Sequence, residues 1–331
     1  MAHIFKKIIV TGGSGFIGSH FIEAFINRYP ETQIINLDLC TYAVSKNTHK
    51  LISNIKNVRH IQGSICDQAL IRNLYSEFLP DLIVNFAAES HVDNSIDAPK
   101  VFLETNIIGT YNLIHNLVSH ENLKGTIFHH ISTDEVYGDT GFNDNTQFKE
   151  TSPIKPSSPY AASKASSEHL IRSWSRTYGL KYIITNCGNN FGPRQHNEKF
   201  IPTIIRKLSQ NQKIPVYGAG KNIRDWIFVE DHANFLIDLY EKDILNETVN
   251  IGLNNELTNL EIIQSILEIL TKKKNFNQND FMNFVDDRLG HDERYAIDNK
   301  KLVKILGKLK PANFLSNLEK TVEWFKNNPE W

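Results

Sequence analysis

Cysteine is scarce in this 331-residue chain: three residues, Cys40, Cys66 and Cys187, widely separated and without Cys-x-x-Cys or Cys/His spacing. That excludes a disulfide framework, offers no zinc ligand set to the eye, and points to a reduced, cytoplasmic setting with no metal. Long apolar runs are also missing. Lys6-Lys7 precede only Ile8-Ile9-Val10 before a glycine turn, too short a run for a signal peptide, and no stretch approaches the ~18 apolar residues of a membrane span. Charge of one sign is not in excess: 36 basic against 37 acidic residues leave a net charge of -1, without the electrostatic footprint of a nucleic-acid binder. Any anion must therefore be met by local positive groups. Internal repeats and low-complexity linkers are absent, and Lys272 to Asn279 reads as a polar surface loop.

What is present is a regular alternation. Short apolar runs (Lys7 to Val10, Gln33 to Leu37, Val58 to Ile61, Leu82 to Phe86, Thr126 to Ile131, Tyr182 to Thr185) alternate with helix-length segments. That spacing predicts a Rossmann-type α/β fold, a doubly wound parallel sheet covered on both faces. Beyond Gly188 the texture changes, with Gly192-Pro193, Pro202, Pro215 and Gly218-Ala219-Gly220 around a helix from Ile201 to Ser209. This predicts a smaller, discontinuous C-terminal substrate lobe. Residues 1–190 form the dinucleotide domain, 232–252 return to it through a strand at Val249 to Ile251, and 191–231 with 253–331 form the second lobe.

Gly12, Gly15 and Gly18 follow the first strand and open a helix reaching about Tyr29. Their G-x-x-G-x-x-G spacing lets the backbone turn tightly and present helix N-terminal amides to a pyrophosphate. Asp38, 20 residues beyond Gly18 at the end of the second strand, suits the two ribose hydroxyls and repels a 2′-phosphate, favouring NAD over NADP. Two further strand ends face the same crevice: Ser64-Ile65 with Asp67 toward the adenine, and Ala87-Ala88-Glu89-Ser90, whose small residues admit a cofactor.

Ser132-Thr133-Asp134-Glu135 ends the fifth strand, and Tyr160-Ala161-Ala162-Ser163-Lys164 follows 25 residues after Glu135. Pro159 after Ser157-Ser158 marks a helix start, so Tyr160 and Lys164 stack at i and i+4. The ammonium is expected to draw the phenol toward neutrality as a base, and the lysine to hold the nicotinamide ribose. Two adjacent carboxylates near a Tyr-Lys pair let acid, base and hydride chemistry share one pocket, and a plain dehydrogenase does not need both.

The chain resembles the extended short-chain dehydrogenases/reductases, and within them the nucleoside-diphosphate-glucose 4,6-dehydratases. The resemblance rests on Thr11 to Ser19, Ala87 to Asp93, Ser132 to Gly138, Asn186 to Pro193, Ile223-Arg224-Asp225-Trp226 and Arg288-Leu289-Gly290-His291-Asp292, nearly end to end. It implies a lyase with bound NAD. Tyr160 takes the proton of the glucose 4-hydroxyl with Thr133 on that oxygen, Glu135 removes the C5 proton, and a protonated Asp134 delivers a proton to the departing 6-hydroxyl, giving a 4-keto-6-deoxy sugar for deoxysugar (such as rhamnose) synthesis. It also implies cofactor contacts at Phe16, Ile17, Thr41, Thr105 and Asn190, and substrate contacts at Ser90, Asn189, Lys199, Pro215, Tyr217, Arg224, Asn259, Arg288 and His291. Both dTDP-glucose and UDP-glucose stay open, because a pocket separates one methyl by only about 1–3 kcal/mol. Helices at about Pro99 to Ser119 and Pro159 to Tyr178 are expected to pair into a homodimer interface. A nucleotide-sugar 4-epimerase and a non-catalytic NAD/nucleotide-sugar sensor are the alternatives.

Overall fold

The structure, a computed structural model, describes residues 5–142, 144–242, 244–272, 277, 280–287, 289–311 and 313–331. Strands β1 (Lys7–Thr11), β2 (Gln33–Asp38), β3 (Val58–Gln62), β4 (Leu82–Asn85), β5 (Ile127–Thr133) and β6 (Lys181–Cys187) alternate with helices. These are α1 (Phe16–Arg28), α2 (Lys46–Ser53), α3 (Gln68–Phe78), the run α4 (Val92–Asp97), α5 (Pro99–Phe102) and α6 (Thr110–Ser119), and α7 (Pro159–Tyr178). The later chain adds β7 (Asn189–Phe191), α8 (Phe200–Ser209), β8 (Ile214–Tyr217), β9 (Ile223–Phe228), α9 (Val229–Tyr240), β10 (Glu247–Ile251), β11 (Glu256–Thr258), α10 (Asn259–Thr271), β12 (Met282–Val285), α11 (Lys300–Leu306) and α12 (Phe314–Asn327).

The main sheet runs β10-β6-β5-β4-β1-β2-β3, with every neighbour parallel. Parallel strands buried on both faces must be apolar throughout, and β1 shows it: Ile8 and Val10 enter one core cluster, Ile9 the other. Strand order reverses between β1 and β4, so the carboxyl ends of these strands diverge and open a crevice. A second core under β7, β8 and β9 joins α8, α10 and α12, and two small sheets, β11-β9-β7 and β12-β8, frame that side.

The helix expected from Pro99 to Ser119 is interrupted by a π-helical turn, Leu103–Gly109. Its widened backbone is held from α7, where the Ser167 hydroxyl donates to the Asn106 carbonyl at 2.7 Å, while Asn106 Nδ2 donates to Ser163 Oγ at 2.8 Å. Such turns keep a side chain aimed where a regular helix would rotate it away, and Thr105 thereby lines the crevice. The loop expected at Lys272 to Asn279 lies mostly outside the described residues. Among the described residues no helix is long and apolar enough to cross a membrane.

Candidate active site

The crevice is a cavity of about 340 Å³ lined by the carboxyl ends of the main-sheet strands, by α7 and by residues between 187 and 199. Its floor is the turn between β1 and α1. Gly12 has φ +71, and a Cβ there would lie 2.6 Å from the Ala87 nitrogen, so the turn and the end of β4 close on each other only with glycine present. Helix α1 starts at Gly15 with no side-chain cap and no acid in its first turn. Its first amides are thus directed at the crevice without an internal acceptor, which suits a diphosphate. Asp38 ends β2 with one oxygen accepting from Ser14 N–H at 2.9 Å and the other from Cys40 N–H at 2.8 Å. The carboxylate is fixed in place while keeping lone pairs for hydroxyl donors.

Gly12, Gly15, Phe16, Ile17, Gly18, Asp38, Thr41, Ser64, Ile65, Ala87, Ala88, Ser90 and Thr105 all line this space, as do Thr133, Asp134, Glu135, Tyr160, Lys164, Asn189, Asn190 and Lys199. Asp67 does not: its carboxylate caps α3, accepting from Ala69 and Leu70 N–H. The helix start at that position is the stronger claim on the side chain.

At the reacting end, β5 stops at Thr133 and turns through a single 3-10 segment, Asp134–Tyr137. Ser158 caps α7 by accepting from Ala161 N–H, with Pro159 in the first turn, which sets Tyr160 against the end of β5. Thr133 is within hydrogen-bonding reach of the Tyr160 phenol and also donates to Asp134 Oδ1 at 3.3 Å. Asp134 is buried, and its Oδ2 has no partner among the described residues. Burial first, then Glu135 and Asp225, hold its carboxyl well above the usual range, which favours the neutral, proton-bearing form. Arg224 opposes that displacement, and will stabilise the carboxylate once the proton has left.

The expectation for Tyr160 needs correcting. Lys164 Nζ donates to the Ile131 carbonyl at 2.6 Å, and burial, Glu135 and Cys187 push the phenol well above its usual value, with only the Thr133 hydrogen bond pulling it down. Burial lowers Lys164 itself to about 8, offset in part by Glu168 and Cys187. Sequence spacing places the pair on one face of α7 but cannot weigh desolvation against attraction. In this structure desolvation wins.

Sequence reasoning also passed over Glu168. Its buried carboxylate accepts from Ser132 Oγ at 2.6 Å, Asn186 Nδ2 at 2.7 Å and Arg172 at 2.8 Å, tying α7 to β5 and β6 directly below Lys164. The signal was there, since Tyr160, Lys164, Glu168 and Arg172 repeat every four residues. Asp225 was quoted only as part of a motif. It is buried, accepts from the backbone N–H groups of Leu253, Asn254 and Asn255, and is pushed up to about 6 by burial.

Of the second-lobe candidates, Lys199 crosses the crevice to donate to the Ser90 carbonyl at 2.9 Å. Asn190 meets His232 at 2.8 Å through its Oδ1. Pro215, Tyr217, Arg224, Asn259 and His291 do not line the main cavity. Tyr217 and His291 face each other edge-on at 6.3 Å between ring centres, and His291 Nδ1 lies 2.5 Å from Asp287. Arg224 is partly engaged by backbone. Its guanidinium donates to the carbonyls of Ile223, Asp292 and Glu293 and stacks 4.1 Å from the Tyr295 ring, because residues 292–295 cross β9 there. Arg288 lies outside the described residues.

A reversing parallel sheet, an uncapped helix start at the reversal and a Tyr-Lys helix beside the fifth strand define a dinucleotide-binding α/β enzyme of the short-chain dehydrogenase/reductase type. More narrowly, the chain belongs to the GDP-mannose 4,6 dehydratase family, whose model matches residues 9–319. It is 44% identical to a dTDP-glucose 4,6-dehydratase of Escherichia coli over 98% of this chain and 95% of the relative. Among solved structures, a dTDP-glucose 4,6-dehydratase from Streptomyces venezuelae with NAD and TYD bound superposes with TM-score 0.89 at 38% identity, covering 98% of both chains. A UDP-glucose 4-epimerase from Thermotoga maritima with UDP-glucose reaches TM-score 0.86 at 26% identity, over 98% of this chain and 99% of that one.

Proposed function

We propose that this protein is an NAD-dependent nucleoside-diphosphate-glucose 4,6-dehydratase, with dTDP-glucose as its substrate. The observation that carries the reading is Asp134: a buried carboxyl, pushed well above its usual range beside a second carboxylate, at the end of the strand that faces the phenol. A 4-epimerase needs the phenol but no acid to expel a hydroxyl. The relatives' shared dTDP-glucose 4,6-dehydratase activity supports the nucleotide.

The uncapped start of α1, Asp38 and the small side chains of Ala87 and Ala88 fit the cofactor's diphosphate, ribose and ring. NAD, once bound, supplies a hydride acceptor at C4 and a donor at C6. Tyr160 removes the proton of the 4-hydroxyl while Thr133 holds that oxygen. Glu135 takes the acidified C5 proton, and Asp134 gives its proton to the leaving 6-hydroxyl, so water departs and the net oxidation state is unchanged. Lys164 would hold the ribose near Tyr160, Asn190 the nicotinamide, and Ser90, Asn189 and Lys199 the hexose and diphosphate.

The nucleoside is met by the group outside the cavity, Pro215, Tyr217, Asn259 and His291, and by resemblance Arg288 serves the same ligand. Such a site is a cytoplasmic homodimer's, paired through α5 to α6 and α7; Val101, Leu103 and Ile108 on the first of these are exposed apolar residues available for burial. The test is turnover of dTDP-glucose and UDP-glucose in D2O, read by mass spectrometry and NMR. The expected product has lost one water, carries a ketone at C4 and holds solvent deuterium at C5. A product isomeric with its substrate would make the protein an epimerase, and no turnover would make it a sensor.

A further inference from the structure

Beside the adenosine end of the crevice, three residues from three elements converge without a role in the chemistry above. Cys40 follows β2, His49 lies in α2 and His60 in β3. Cys40 Sγ is 3.6 Å from His49 Nδ1 and 3.7 Å from His60 Nε2, and the three ligand atoms all lie within 4.8 Å of one another. The two rings stand nearly perpendicular, 80° at 4.2 Å between centres.

We propose that Cys40, His49 and His60 form a thiolate–bis(imidazole) site for a divalent d-block cation, Zn²⁺ being the best fit. Metal–sulfur and metal–nitrogen bonds of about 2.3 and 2.0–2.1 Å, opened to tetrahedral or trigonal angles, put sulfur and nitrogen about 3.5–3.8 Å apart. Both measured separations fall inside that interval.

The far nitrogens also have partners of the kind that orient ligating histidines. His49 Nε2 is 3.5 Å from Ser53 Oγ, and His60 Nδ1 is 3.4 Å from Asn36 Nδ2; a half-turn of that amide would set its oxygen there to accept the Nδ1–H and leave Nε2 to the metal. Cys40 itself sits at φ +55, a left-handed backbone that few side chains other than Gly and Asn adopt, and this keeps its sulfur turned back toward the two rings. On binding, the Cys40 thiol releases its proton to solvent, the imidazoles bind neutral, and water fills the fourth position. The cation then pins the loop after β2, whose Thr41, Ala43 and Val44 line the crevice, to α2 and β3.

The experiment uses the reduced holoenzyme, freed of metal by a chelator and titrated with Co²⁺. One equivalent should bind with a thiolate-to-cobalt absorption that Zn²⁺ abolishes. Cys40→Ser should remove that absorption, and His49→Gln or His60→Gln should weaken binding by at least about tenfold, since even second-sphere partners are worth about 10–100-fold. No absorption, or unchanged affinity in Cys40→Ser, would overturn the proposal. Should Cys40→Ser not fold, the native chain answers: Zn²⁺ should protect Cys40 from iodoacetamide while exposed Cys66 reacts as before, and unprotected Cys40 would overturn it equally.

Discussion

An Asp134→Asn protein should be more stable than the parent at about pH 8 and unable to complete the elimination. The parent carboxyl has an ordinary value of 3.8, is buried, and is displaced well upward by burial, Glu135 and Asp225. Between 3.8 and the raised value the folded chain binds one more proton than the unfolded chain, so stability falls as pH rises, by about 1.4 kcal/mol per unit. At pH 7 the interval from 3.8 caps this cost at about 4 kcal/mol. Asparagine has the same shape and, like the protonated acid, carries a donor and an acceptor without charge, so it escapes the cost. The assay is urea denaturation of both proteins at one protein and NAD concentration across about pH 4 to 8. The midpoint advantage of the variant should grow with pH and vanish near pH 4. Equal midpoints at about pH 8, or an advantage independent of pH, would refute the claim that Asp134 is a neutral acid in the folded protein.

Glu135→Gln should retain NAD and the first oxidation but lose deuterium incorporation at C5, with turnover down about 10²–10⁴-fold; it should also bring the Tyr160 phenol down, since Glu135 is the largest charge holding it up, a change readable in the pH dependence of single-turnover oxidation. Tyr160→Phe should abolish NADH formation in a single turnover while leaving NAD bound, and undiminished formation would remove the phenol from the mechanism. Gly12→Ala sets a Cβ 2.6 Å from the Ala87 nitrogen at φ +71, so it should cost on the order of 2–4 kcal/mol of stability and weaken NAD binding; calorimetry showing neither would mean that the turn tolerates opening.

The sheet was legible because fully buried parallel strands leave no polar alternation, and runs such as Ile8-Ile9-Val10 and Leu82 to Val84 have no other stable home. The crevice was legible for a related reason: a glycine turn, a strand-end acid and an i, i+4 Tyr-Lys pair are local arrangements, completed within a few residues of chain. The π-turn at Leu103–Gly109 was not, since it depends on Ser163 and Ser167 of a helix more than 50 residues away.

Arg224 shows the same limit from the other side. Its charge and motif suggested a phosphate clamp, but part of its donor fork is engaged by carbonyls of residues 292 and 293, about 70 positions on. The succession of strands and helices along the chain, the position of the glycine turn and the choice of candidate reacting groups were thus legible in the sequence, the first two through short-range periodicity and stereochemistry and the last through the family resemblance. Which of those groups carries a proton, where Arg224 spends its charge, and the meeting of Cys40 with His49 and His60 were decided only by the tertiary structure, because desolvation and through-space charge depend on what surrounds an atom and not on what precedes it in the chain.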